Sequence, residues 1–419
     1  MTVTEAPALR QGDAGFRRVS VGLLFAGFTT FALLYATQPL LPRLVEVFAI
    51  SPGTASLSVS VTTGGLALAI VPASALSERW GRRPVMLWSL TAAVLLGLAA
   101  TVAPSFWLLL VLRALEGVAL AGLPAVGMAY LADEIDGGHL GAVMGLYIAG
   151  NSIGGFGGRI VVSALGDLTG SWRLALGGIT ALSGVCLVVF WLVLPPSRRF
   201  TPGPVAPSTL VASARAHLGD PVLRRLFATA LLLTGTFVCA YNFVAFRLLG
   251  PPFSLSELLV GFVFVLYAVG TVTSSVAGRV SGRFGARTTV LAACGVAALG
   301  AVAMLAPVLA LVVGGLALLT VGFFAGHAVA SAWVGRRAEH ARALASGMYL
   351  FSFYVGSSVG GTLGGVVFGA GGWSATVGFL VVLLAAAAVV VAPMERVAAA
   401  SARSARSARS GERRAPSVE

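Results

Sequence analysis

Stretches of about twenty apolar residues recur along the whole 419-residue chain, each closed by a short polar or arginine-bearing interruption. A helix rises ~1.5 Å per residue, so each stretch is long enough to cross a hydrocarbon core of ~30 Å. The pattern predicts helices over roughly 19–41, 54–77, 84–103, 105–132, 141–166, 174–195, 226–249, 256–278, 288–306, 308–335, 344–369 and 373–393. Twelve spans predict an all-α membrane protein in two six-helix bundles. The first span follows a polar, arginine-bearing start with no cleavage site, so no cleavable signal is expected.

The longest polar interruption, 197–221 (SRRFTPGPVAPSTLVASARAHLGDP), falls after the sixth span. It divides the chain into an N-terminal bundle (1–196), a cytoplasmic linker (197–221), a C-terminal bundle (222–395) and a basic, disordered cytoplasmic tail (396–419). The halves read as copies of one another. SALSERWGRRPV (74–85) after the second span answers GRVSGRFGARTTV (278–290) after the eighth, and GNSIGGFGGR (150–159) answers GSSVGGTLGG (356–365). A parallel duplication predicts two bundles around a pseudo-twofold axis along the membrane normal.

Composition agrees, with 57% hydrophobic and 10% charged residues against about a quarter charged in soluble domains. The net charge of +13 raises the question of nucleic acid, and its placement answers it. All 28 basic residues are arginine; with the N-terminus in the cytoplasm, 23 fall on that side, 3 on the other and 2 inside spans. This is the positive-inside asymmetry. It predicts a bacterial inner-membrane protein with both termini cytoplasmic, a lipid bilayer for partner and no nucleic acid. Cys186, Cys239 and Cys294 lie on different spans at no metal-site spacing, so neither metal nor cofactor is expected. Without lysine there is no phosphate-binding G-x4-G-K-[ST] loop to hold a nucleotide.

Charges inside a bilayer are costly unless paired or solvated. Three qualify: Arg113 and Glu116 in the fourth span and Arg159 in the fifth. Arg113 and Glu116 share a helix face at i, i+3. Counting residues puts all three at similar depth, roughly 12–16 Å from the outer helix ends, which predicts a cluster of two arginines and one glutamate. Their counterparts in the second half are Leu318, Val321 and Gly365. That asymmetry favours a functional role over shared packing. Glu116 is the leading proton-carrier candidate, with burial and the arginines pulling its protonation in opposite directions; the surplus arginine equally suits capture of an anion. In the fifth span, Gly150, Gly154 and Gly158 recur every four residues and predict close helix approach, with neighbours expected from the opposite half.

Several stretches resemble the major facilitator superfamily. SALSERWGRRPV is similar to its loop 2–3 signature, G-x-L-A-D-R-x-G-R-K, with Ser74 in place of the first glycine, Glu78 in place of the aspartate, and Gly81, Arg82 and Arg83 matching; in the second copy Gly282 replaces the acidic residue. RALEGVALAG (113–122) is similar to its R-x-x-x-G pattern. Gly141, Gly150, Gly154, Gly155 and Gly158 are similar to the drug:proton antiporter signature G-x8-G-x3-G-P-x2-G-G, with Gly155 where proline is usual and Arg159 where glycine is usual. QPLLP (38–42) and LFSFYVGSSVGGTLGG look like bacterial exporters of the arabinose-efflux-permease-like kind.

That resemblance implies alternating access and a monomer. It implies a cavity lined by spans one, four, seven and ten, with Tyr35, Gln38, Asn151, Tyr241, Asn242, Tyr267, His327, Tyr349 and Tyr354 as candidate lining groups. It also implies a cytoplasmic gate built from Glu78, Arg79, Gly81, Arg82 and Arg83, with Asp133 and Glu134 as partners. The expected activity is export of small amphipathic molecules or drugs in exchange for protons. The alternative is an importer or facilitator of an organic anion or sugar derivative. A membrane enzyme or sensor is disfavoured, since the sequence holds no metal-ligand cluster, nucleophile triad or appended soluble domain.

Overall fold

The computed structural model describes residues 7–200 and 207–394, so the tail at 396–419 lies outside the described residues. The chain runs through α1 (Ala14–Leu34), α2 (Leu41–Phe48), α3 (Pro52–Trp80), α4 (Arg82–Thr101), α5 (Phe106–Leu120), α6 (Gly122–Glu134), α7 (Leu140–Thr169) and α8 (Trp172–Val193). A linker helix α9 (Pro207–Gly219) leads into α10 (Pro221–Leu249), α11 (Glu257–Phe262), a 3₁₀ turn (Val263–Leu266), α12 (Tyr267–Phe284), α13 (Ala286–Ala303), α14 (Leu309–Arg337) and α15 (Arg342–Val391). Among the described residues, ten helices are long and apolar enough to span a membrane, with α5 and α6 running on as one 29-residue rod.

Two features reconcile that number with twelve expected spans. The 50-residue α15 is two legs, broken where Gly371 (φ −146°, ψ 15°) and Gly372 (φ +62°, ψ −153°) leave helical geometry. Only glycine takes the second of these without strain. The 30-residue α7 is long enough, but its glycines, Asn151 and Arg159 depress its hydropathy.

The internal repeat is visible in the backbone. Gly81 (φ +92°, ψ 155°) and Gly285 (φ +86°, ψ 152°) turn the chain identically between consecutive spans. Two residues later an arginine caps the last span of its own half: Arg83 Nε donates to the Leu194 carbonyl at 3.0 Å, and Arg287 Nε to that of Ala392 at 2.6 Å. Each satisfies a helix-end carbonyl that has no intrahelical donor.

The glycine stripe of α7 corrects an expectation. Its neighbours are not in the opposite half: a Cβ at Gly150 or Gly154 would overlap the carbonyl oxygen of Leu24 or Phe28, and one at Gly158 would meet Ala32, all on α1. The twin stripe repeats this within the second half. Gly356 faces Leu231, Gly360 faces Gly235 and Gly364 faces Cys239, all on α10. With lipid as apolar as leucine, helices associate through such close backbone contact rather than through hydrophobic burial. Gly141, at the start of α7, has open space around it.

Contacts between the halves gather at the face away from the chain ends. There Gly53 of α3 lies against the Gly365 backbone, Ser56 Oγ donates to the Gly361 carbonyl at 3.2 Å, and Ser163 of α7 sits against Gly261 of α11. The seam reaches Gly64 and Ser358. Nearer the chain ends, residues 271–284 of α12 are largely exposed.

Candidate functional site

α1 stops at Leu34, and residues 35–40 form turns before α2 begins. Two arginines hold this break. The last carbonyls of a helix have no intrahelical donor and take one from a side chain or from water. Arg113 supplies it for Leu34: one terminal nitrogen donates to the Leu34 carbonyl (2.9 Å) and to that of Leu33 (3.0 Å), which the Ala36 amide also reaches, the other to Glu116 Oε2 (2.5 Å), and Nε to the Ser58 carbonyl (3.4 Å). Arg113 and Glu116 are both 0% exposed. Glu116 Oε1 has no partner and points toward Gly97 of α4, beside Thr180 of α8. The pair therefore lies inside the first bundle.

Arg159 serves the next turn. Its Nε donates to Gln38 Oε1 at 2.5 Å and a terminal nitrogen donates to the Gly155 carbonyl. The guanidinium lies 4.4 Å from the ring centre of Tyr35, 4.9 Å from Tyr267 and 5.1 Å from Phe264. Each desolvated contact of this kind contributes about 1–2 kcal/mol. Tyr35 belongs to the first half, Phe264 and Tyr267 to the second. Gln38 crosses the same seam, donating from Nε2 to Asn242 Oδ1 of α10 at 2.7 Å. The expected three-charge cluster is thus divided. Arg113 and Glu116 neutralise each other within one bundle, whereas Arg159 stands at the seam. A residue count along a helix yields depth but not the direction a side chain turns, and that is why the sequence merged the two sites.

The candidate lining residues fall into two groups. Tyr35, Gln38, Asn242, Tyr241 and Tyr267 gather around Arg159, with Tyr241 bonded to Thr320 at 2.8 Å and packed 4.7 Å from Tyr267. His327 and Tyr349 pair separately, His327 Nδ1 to Tyr349 Oη at 3.1 Å. Tyr354 is buried against Phe353. Phe237 joins the groups, stacking on Phe323 at 3.9 Å, and Phe323 stacks in turn on His327. Asn151 lies apart from both, wedged against Gly27 in the α1–α7 packing.

The residues of the expected cytoplasmic gate stay within one half. Arg82 binds Glu78 (2.7 Å) and Asp133 (3.2 Å), and Arg83 caps α8. Glu134 accepts the backbone amides of Arg198 and Arg199, and Arg79 is exposed in the last turn of α3. A different pair spans the halves. Arg43 of α2 bonds Glu257, the first residue of α11, at 2.6 Å, on the face where the seam is closed. Sequence reasoning missed it. The available signal was the scarcity of charge on that side, where Arg43 is one of three arginines and Glu257 one of few acids.

The sequence pattern of the Major Facilitator Superfamily matches residues 23–326 and, in a second overlapping match, 241–417. The chain is 44% identical over 376 residues to an uncharacterized MFS-type transporter, YybF of Bacillus subtilis, covering 90% of this chain and 93% of that protein. It is 40% identical over 382 residues to the inner membrane transport protein YnfM of Escherichia coli, covering 91% of each. Among solved structures, a bacterial homolog of the human lysosomal transporter Spinster superposes with a TM-score of 0.76 at 16% identity, over 92% of this chain and 98% of that one.

Proposed function

The chain belongs to the major facilitator superfamily, a family of membrane transporters rather than enzymes, and from that premise we propose that it exports small amphipathic molecules in exchange for protons by alternating access. One observation carries this reading. Glu116 is tied through Arg113 to the last carbonyls of α1, and the turn that follows reaches the other half through Gln38 and Asn242. Protonating Glu116 removes the charge that Arg113 answers, and so loosens the end of α1 where the two halves meet. A proton-binding group and the moving seam thereby share one short segment. The arginine asymmetry supports chain ends in the cytoplasm; in that orientation the closed seam faces outward and the Arg43–Glu257 pair is its outer latch. The similarity of the α7 glycines to the antiporter signature supports export.

Everted membrane vesicles with an imposed acid-inside gradient test it. Wild-type vesicles should accumulate at least one of a set of fluorescent amphipathic dyes (anionic, neutral and cationic) above vesicles lacking the protein, and a protonophore should abolish the gain. Accumulation indifferent to the protonophore would remove the proton from the mechanism. In the pair Arg43→Cys with Glu257→Cys, a short bifunctional thiol reagent should stop accumulation, with recovery on reduction. Full transport in the cross-linked protein would show that the outer seam does not open.

A further inference from the structure

We propose that the seam around Arg159 is a receptor for a small organic monoanion, a carboxylate on an apolar or aromatic body. The proposal rests on the transport reading and names the substrate class.

Charge comes first. Arg113 is answered by Glu116, whereas Arg159, 2% exposed, is bonded only to the neutral acceptors Gln38 and Gly155. Among the described residues no carboxylate pairs with it. A buried cation without a counter-charge is costly, and the three rings around it offset only part of that cost.

The direction of the hydrogen bonds points the same way. Arginine can only donate. Arg159 therefore orients Gln38 with its oxygen inward, so Gln38 Nε2 must donate onward, and Asn242 must turn its own oxygen to accept. What is left over is Asn242 Nδ2, a donor, fully buried and without an acceptor. Beside it stands the equally unpartnered hydroxyl of Ser60: a Cβ placed on Gly361 would lie 3.0 Å from the first and 2.8 Å from the second. The seam thus holds a cation without an anion and donors without an acceptor. An oxyanion supplies both at once.

One uncompensated positive charge calls for one negative charge. The aromatic wall from Tyr35 and Phe264 to Tyr267 and Phe237 calls for an apolar body. Both halves contribute, so such a ligand would link their motion.

The test is equilibrium binding to the purified full-length protein, by calorimetry and thermal shift. The probes are benzoate and 1-naphthoate, with benzamide and benzylamine as neutral and cationic counterparts. The acids should bind and stabilise and the counterparts should not. Arg159→Gln should weaken acid binding by roughly tenfold or more, the loss of one charge-assisted contact. Arg159→Lys should retain part of it, because charge survives without the planar fork. Without ligand, Arg159→Gln should melt somewhat lower, because it loses the bond to Gln38 and three ring contacts, so stabilisation by acid is read against each variant's own melting point. Equal acid affinity in folded Arg159→Gln would overturn the proposal. So would the absence of any acid binding at about 10 mM, above the range substrate sites occupy. Binding needs no gradient, so its failure alongside transport of neutral or cationic dyes overturns the substrate class alone. Acid binding without transport overturns the transport reading alone.

Discussion

Glu116→Gln is expected to fold less stably and to lose gradient-driven transport. The substitution keeps the shape of the side chain but leaves Arg113 buried without its counter-charge. Breaking a buried pair from one side costs about 3–5 kcal/mol, and the lower end applies here because Arg113 keeps the carbonyls of Leu33, Leu34 and Ser58. Thermal denaturation of the purified protein checks this. Arg113→Leu should be worse, since it takes the side-chain donor from the Leu34 carbonyl as well as stranding the carboxylate, whereas Leu33 and Ser58 keep the Ala36 amide and the Thr62 hydroxyl. An order in which Arg113→Leu is milder would mean that the Leu34 carbonyl finds another donor and that the arginine does not hold the end of α1. On function, glutamine is a permanent mimic of the neutral side chain. Accumulation in acid-inside vesicles should disappear, while exchange of labelled for unlabelled dye at equal pH continues. Undiminished gradient-driven transport by Glu116→Gln would take Glu116 out of the mechanism.

Gly154→Val should prevent assembly of the first bundle, with little protein recovered from the membrane. A Cβ at this position overlaps the Phe28 carbonyl oxygen, which is backbone and cannot rotate away. To admit it, α1 and α7 must separate along their whole contact, exposing the break at residues 35–40 that Arg113 and Arg159 hold. Overpacking a well-formed interior costs about 1–3 kcal/mol where side chains can yield, and here they cannot. Gly360→Val should do the same to the second bundle, where Gly235 is the neighbour. Gly141→Ala and Gly145→Ala, with nothing within 4 Å of the added methyl, serve as controls and should reach wild-type levels. Normal yield and melting behaviour in Gly154→Val would contradict the packing described for α1 and α7.

The spans, the two-fold repeat and the family resemblance were all legible in the sequence, because each depends on local quantities. Apolar length sets a span, and glycine with positive φ marks the turns at Gly81 and Gly285. The candidate site was half legible. Arg113, Glu116 and Arg159 stood out because a bilayer makes each charge expensive. Tyr35, Gln38, Tyr241, Asn242 and Tyr267 were named from polarity and position, and they do meet around Arg159. Asn151 was named on the same grounds and lies elsewhere, because its side chain turns toward Gly27 of α1.

The pairings were not legible. Gln38 and Asn242 are 204 residues apart, and Arg43 and Glu257 are 214 apart. No local pattern binds one to the other. The glycine stripe shows why: its spacing determined that something approaches closely, but a bare helix face is equally suited to any neighbour. Only the packing of the whole chain decided that α1 lies there, that Arg113 turns inward to Glu116, and that Arg159 is left facing the seam with its charge unanswered. Sequence by itself determined which residues had to be explained, through the cost of placing them in lipid. Tertiary structure decided which of those costs are already met within the chain, since that depends on direction and distance between segments that only folding brings together.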